Sequence, residues 1–171
     1  RMPTARLLIE GKGFGKEDFT ESYRARCAKL GIDHRRLDLL PLDTNKQYLA
    51  YHDIDIALDP FPLNGGTTTC DTLWMGVPLV AMIGHSSPSR MSTGVMTYVG
   101  RTEWLANTPD EYLAIATNLA SNIDNLNTTR LNLRDEVEQS PLMRDDIVCA
   151  QFTAGLRTMW FHWQAKIDNP S

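Results

Sequence analysis

Through its first half the chain alternates short apolar runs with stretches of helical period, and few folds accommodate that order. Ala5-Arg6-Leu7-Leu8-Ile9-Glu10 is an apolar run, followed by a glycine-rich stretch and then by Phe19, Tyr23, Ala25, Cys27, Ala28 and Leu30 at helical intervals. The spacing predicts strand, loop and helix. Gly31 stops the helix, and Arg36-Leu37-Asp38-Leu39-Leu40 predicts a second strand that Pro41 ends. In Asp53-Ile54-Asp55-Ile56-Ala57-Leu58-Asp59 the isoleucines and Leu58 alternate with mostly acidic positions. That is the period of a strand whose other face meets something polar or wet. Thr67 to Met75 reads as a short helix closed by Gly76, and Val77 to Met82 as a fourth strand. Parallel strands need crossovers that run the length of the sheet, so the order predicts an α/β fold with a mostly parallel sheet and helices on its faces. Beyond Pro88 the pattern is purely helical, with candidate helices over Ser89 to Tyr98, Pro109 to Asn122, Asp124 to Gln139 and Asp145 to Ala165. The 171 residues suffice for one core and one domain.

A formal charge of −4 leaves no basic stripe for a phosphate backbone, so nucleic acid is not an expected partner. No apolar run approaches the roughly 20 residues that span a bilayer, and the N-terminus lacks a signal-peptide pattern. No membrane association is expected, and the cytoplasm is the expected compartment. Cys27, Cys70 and Cys149 are widely spaced and read as free thiols. His34, His52, His85 and His162 are equally scattered, so no metal site is expected.

Gly11-Lys12-Gly13-Phe14-Gly15-Lys16-Glu17 invites comparison with a phosphate loop. That motif needs four residues between its glycines and Ser or Thr after its lysine. The alternating glycines also miss the dinucleotide-binding spacing, so the stretch reads as a flexible connection. Asn64-Gly65-Gly66-Thr67-Thr68-Thr69 is a better candidate, because a strand ending near Asp59 leads through Pro60-Phe61-Pro62 into a glycine pair and then a helix. Glycine lets the backbone approach a ligand, the first helical turn offers unpaired N–H groups, and the helix dipole favours an anion there. Thr67 and Thr68 add hydroxyl donors. A tight turn whose threonine caps the helix fits the same residues. Asp71, read in the first turn, either complements the dipole or accepts hydrogen bonds from the hydroxyls of a ribose beside a bound diphosphate. Leu73 and Trp74 read as core.

The run from Asp55 through Asp59-Pro60-Phe61-Pro62-Leu63-Asn64-Gly65-Gly66-Thr67-Thr68-Thr69-Cys70-Asp71 to Gly76-Val77-Pro78 resembles the signature of the SPINDLY-like and bacterial O-GlcNAc transferases. The likeness continues through Ser89-Arg90, Glu103-Trp104-Leu105-Ala106, Leu133-Arg134, Ser140-Pro141-Leu142 and Leu156-Arg157-Thr158-Met159-Trp160, nearly the whole chain. It implies a GT-B fold, in which two Rossmann-like lobes face each other and the C-terminal lobe holds the uridine diphosphate (UDP) of UDP-GlcNAc. Residues 1–171 correspond to part of that lobe, a Rossmann-like parallel sheet followed by a helical C-terminal part. In the family, the threonines matching Thr67 and Thr68 contact the pyrophosphate, the acid matching Asp71 binds ribose, and backbone near Leu42 reads uracil. The UDP site thus implied comprises Leu42, Gln47, Gly65, Gly66, Thr67, Thr68 and Asp71.

The chain departs from the family pattern in three places. Gln47 stands where the family commonly has a histidine that stacks on uracil. Gly66 stands where animal relatives have histidine and bacterial ones tend to glycine, which implies a phosphate contact made mostly by backbone. The family's lobe normally opens with another strand and helix, carrying a lysine to the diphosphate. That segment is absent, and neither Lys12 nor Lys16 takes its role by position. The implied activity is inverting transfer of GlcNAc from UDP-GlcNAc to Ser or Thr of proteins, with no cofactor and no metal. The protein acceptor is held by upstream parts, and no residue is assigned as catalytic. Two alternatives stay open: a GT-B enzyme using another nucleotide sugar, and a catalytically silent interaction lobe. The isolated chain is expected to be inactive and prone to self-association.

Overall fold

In the computed structural model, which describes residues 2–46 and 48–168, the first crossover forms as the sequence predicts. Strands β1 (Leu7–Gly11) and β2 (Leu37–Pro41) pair in parallel, Leu7 beside Leu37 through Gly11 beside Pro41. Helix α1 (Glu17–Lys29) connects them, with Glu17 and Asp18 in its first turn and Arg26 and Lys29 in its last, the polarity that complements its dipole. The 11–15 connection, expected to be flexible, is instead packed. Its 3-10 turn sets Phe14 edge-on to Tyr23 at 5.2 Å between ring centroids and 5.4 Å from Phe19. Three rings in contact outweigh the freedom of the glycines.

Strands β3 (Ala57–Leu58), β4 (Leu79–Met82) and β5 (Leu105–Ala106) form a second parallel sheet in the order β3-β4-β5. The sheet is therefore in two pieces, two strands and three. The third strand is much shorter than its alternation suggests, since Leu49–Asp53 turn as a 3-10 helix before it. Its sidedness also reverses at the end: Leu58 is 49% exposed and Asp59 only 5%. Alternation cannot anticipate a carboxylate that turns inward because donors wait for it. The expectation of a purely helical region beyond Pro88 fails at β5, whose two residues are too few to display a period.

The core lies around the three-stranded sheet. Leu73 from α2 (Thr67–Trp74), Leu79 and Ala81 from β4, Met96 and Val99 from α3 (Met91–Val99), and Trp104 meet Leu133 and Val137 from α5 (Ile123–Gln139). Helix α4 (Pro109–Ser121) starts with Thr108 accepting from the Glu111 amide and with proline at its first position, where no N–H is needed. Arg101 grips Glu136 with two bonds of 2.6 and 2.7 Å and lies over the Trp104 ring at 4.8 Å, tying the end of α3 to α5. Helix α6 (Asp145–Asp168) buries none of its residues.

Two features place the site. Gly76 has φ +72, so the chain can leave α2 and enter β4 directly. Helix α2 also begins just past the C-terminal end of β3, the edge of a parallel sheet where ligands collect.

Candidate functional site

The turn before α2 is built around Asp59. Its Oδ1 accepts from the Gly65 amide at 2.8 Å, and its Oδ2 accepts from Asn64 Nδ2 at 2.7 Å and Ser92 Oγ at 2.6 Å. Three donors are what a buried carboxylate needs to remain in place. Gly65 has no room for a side chain: a Cβ there would lie 2.6 Å from Thr68 Oγ1 and 2.8 Å from Thr69 Oγ1. Gly66 is different. A Cβ there would meet only the flexible Met91 side chain, with Sδ at an ordinary contact distance of 3.5 Å.

Gly66 caps α2 without any side-chain hydrogen bond, which removes the alternative that a threonine caps the helix. The Thr69 and Cys70 amides reach the Gly66 carbonyl, at 3.1 and 3.3 Å. The amides of Gly66, Thr67 and Thr68 have no acceptor among the described residues, nor do the hydroxyls of Thr67 and Thr68, both exposed, have a partner there. Three amides and two hydroxyls at the positive end of a helix are complementary to a phosphate group.

Asp71 is the fifth residue of α2, one turn further in than its sequence reading, and the first turn holds no acidic residue. Complementing the dipole is therefore not its role, because that effect fades within the first turn. Asp71 instead lines a hollow of about 450 Å³ together with Tyr48, Trp74, Met75 and Arg134. The Arg134 guanidinium lies over the Trp74 ring at 4.5 Å, so Trp74 is core on one side and platform on the other. Burial pushes the Cys70 thiol and the Tyr51 phenol up from their ordinary values, and the Asp71 charge pushes both further.

The remaining expected residues stand apart from this turn. Leu42 follows β2, and its amide donates to the Gly11 carbonyl at 3.3 Å. Gln47 lies outside the described residues.

The model of the glycosyl transferase family 41 matches residues 17–152. The chain belongs to glycosyl transferase family 41. Among its relatives, the probable UDP-N-acetylglucosamine–peptide N-acetylglucosaminyltransferase SPINDLY of Hordeum vulgare is 34% identical over 99% of this chain and 18% of its own length. That of Petunia hybrida is 36% identical over 93% and 17%. A mutant of the Thermobaculum terrenum O-GlcNAc transferase superposes with a TM-score of 0.81 at 29% identity, covering 92% of this chain and 31% of that one. The fold is that of the C-terminal lobe of a GT-B glycosyltransferase. This family 41 chain spans less than one fifth of the length of these two plant relatives.

A larger hollow, about 580 Å³, lies elsewhere, with every lining residue on α6 between Cys149 and Phe161. It is the flank of a single helix and gathers no converging polar groups, so α2 remains the candidate site. Sequence reading missed Asp59 and Ser92 as site residues, as well as Tyr48. Asp59 was counted among the solvated acids of a strand, and Ser92 carries no local signal. Arg134 stood only within a matching stretch.

Proposed function

We propose that this family 41 chain is the donor-binding lobe of a protein O-GlcNAc transferase, holding the UDP of UDP-GlcNAc while GlcNAc passes with inversion to Ser or Thr hydroxyls. The observation that carries this reading is the unpaired Gly66, Thr67 and Thr68 amides at the start of the same helix whose Asp71 lines a hollow. The diphosphate lies on the amides and threonine hydroxyls, the ribose hydroxyls donate to Asp71, and the base lies toward Leu42 and Gln47. Negative charge builds on the diphosphate as the sugar departs. Donors already aimed at it lower the barrier without reorganisation. Such donors do the work a metal does elsewhere, so chelators are expected to leave UDP affinity unchanged.

The acceptor wall and the strand and helix that open the lobe belong, on this reading, to other parts of a longer cytoplasmic polypeptide. The two-piece sheet and the small share of the relatives' length support it. No helix among the described residues is long and apolar enough to cross a membrane. The exposed apolar residues of α6 and the open sheet edges support self-association of the chain alone.

Calorimetry with UDP, with and without chelator, tests the lobe. Measurable binding supports it, and an intact fold that ignores UDP points to an interaction module. Hydrolysis of UDP-GlcNAc against other UDP-hexoses by a full-length parent tests the sugar, and a preference for glucose would remove GlcNAc.

A further inference from the structure

Behind the exposed amides runs a buried chain of hydrogen bonds. Thr69 Oγ1 and Ser92 Oγ are 2.9 Å apart, and Ser92 Oγ donates to Asp59 Oδ2 at 2.6 Å. A serine hydroxyl has one proton. With that proton on the carboxylate, Thr69 must be the donor to Ser92, so the chain has a single direction from Thr69 through Ser92 to Asp59. Thr69 and Ser92 have no exposed surface and Asp59 has 5%, which leaves them no direct contact with a ligand of any size.

These three residues come from α2, α3 and the end of β3, and they meet around Gly65. Asp59 holds the Gly65 amide, and Ser92 Oγ also lies 3.0 Å from the Gly65 carbonyl. The Gly65 amide is therefore fixed from inside, with the Ser92 hydroxyl packed against the carbonyl of the same residue. The loop after β4 adds a further tie, with the Pro88 carbonyl accepting from the Asn64 amide at 3.1 Å. A turn clamped this way cannot rotate its next amides inward to satisfy themselves. They stay outward, in the arrangement an anion requires.

We propose that Asp59 and Ser92 are positioning residues for the diphosphate, holding Gly65 so that the Gly66, Thr67 and Thr68 amides are set for the anion before it arrives. The idea rests on the donor-lobe reading and adds to it how the phosphate turn is kept in shape. A buried carboxylate behind an anion site is otherwise a liability, since its charge repels the ligand. Three donors directed at Asp59 absorb much of that charge.

The test compares UDP with uridine, which lacks the diphosphate, by NMR titration of the full chain and of Ser92→Ala, Asp59→Asn and Thr69→Val, with thermal melts of each. Ser92→Ala and Asp59→Asn are expected to weaken UDP about tenfold or more while moving uridine less than about twofold. Thr69→Val, which removes only the far donor of the chain, is expected to weaken UDP about threefold. A purely structural role would lower the melting temperature and either spare both ligands or weaken both equally, and any of those results overturns the proposal. Should Asp59→Asn fail to melt cooperatively, Ser92→Ala and Thr69→Val decide. If the unmodified chain does not bind UDP, the donor-lobe reading itself falls. If it binds and the variants match it, only the positioning role falls.

Discussion

Asp71 faces an open hollow, so its carboxylate can be removed without leaving a void in the core. Asp71→Ala is expected to weaken UDP binding by about 1 to 3 kcal/mol, the range for hydrogen bonds to a charged group. The fold should stay intact. Calorimetry paired with a thermal melt checks both, and unchanged affinity with lost stability would return Asp71 to a structural role. Replacing Thr67 and Thr68 together by valine keeps their shape and removes two hydroxyls, so it should weaken UDP and spare uridine. Equal losses for both ligands would contradict their assignment to phosphate. At this scale the candidate site was legible in the sequence where its residues are neighbours. Gly65, Gly66, Thr67, Thr68 and Asp71 lie within one turn and the helix it opens. Asp59 and Ser92 are 33 residues apart, and nothing in one sequence announces that they touch.

Among the elements, the junction of α2 and β4 leaves little room for change. Gly76 adopts φ +72, and a Cβ there would lie 2.8 Å from the Arg130 carbonyl oxygen on α5. Backbone cannot move aside as a flexible side chain can. Gly76→Ala is expected to destabilise the chain by about 1 to 3 kcal/mol, read by urea denaturation. Helix α4 carries a pH-dependent tie: the Tyr112 hydroxyl donates to the Asp59 carbonyl at 3.0 Å. Burial, with the Asp59 charge adding to it, pushes the Tyr112 phenol up to about 12. Below pH of about 10 the phenol is protonated whether the chain is folded or not, so its contribution is fully present. Between about 10 and 12 only the unfolded chain ionises, and that contribution is lost as pH rises. Tyr112→Phe should therefore show a shallower loss of stability than the unmodified chain across that window, and identical slopes would contradict the tie. Long helices such as α4 and α5 were legible because their period repeats over several turns. β3 and β5 have two residues each, and pairing with β4 rather than any local pattern makes them strands.

For the whole molecule, what stands open matters as much as what is packed. Phe152, Met159, Trp160, Phe161 and Trp163 of α6 are each more than half exposed, and the sheet stops in two pieces. A helix over Asp145 to Ala165 was legible in the sequence, but its lack of cover was not, because cover is a property of neighbours. The chain is expected to bind UDP and to leave UDP-GlcNAc unused, since among the described residues no second wall excludes water or orients an acceptor hydroxyl. Incubation with labelled UDP-GlcNAc and an acceptor mixture checks this, and transfer near the rate of a full-length parent would place catalytic groups within residues 1–171. The most direct measurement is the backbone amide spectrum of the isotope-labelled chain during titration with UDP. The expected result is that the largest shifts fall on Gly66, Thr67 and Thr68, with Asp71 following. A spectrum that moves instead along α6, or that does not move while the fold is intact, would contradict a donor site at the start of α2.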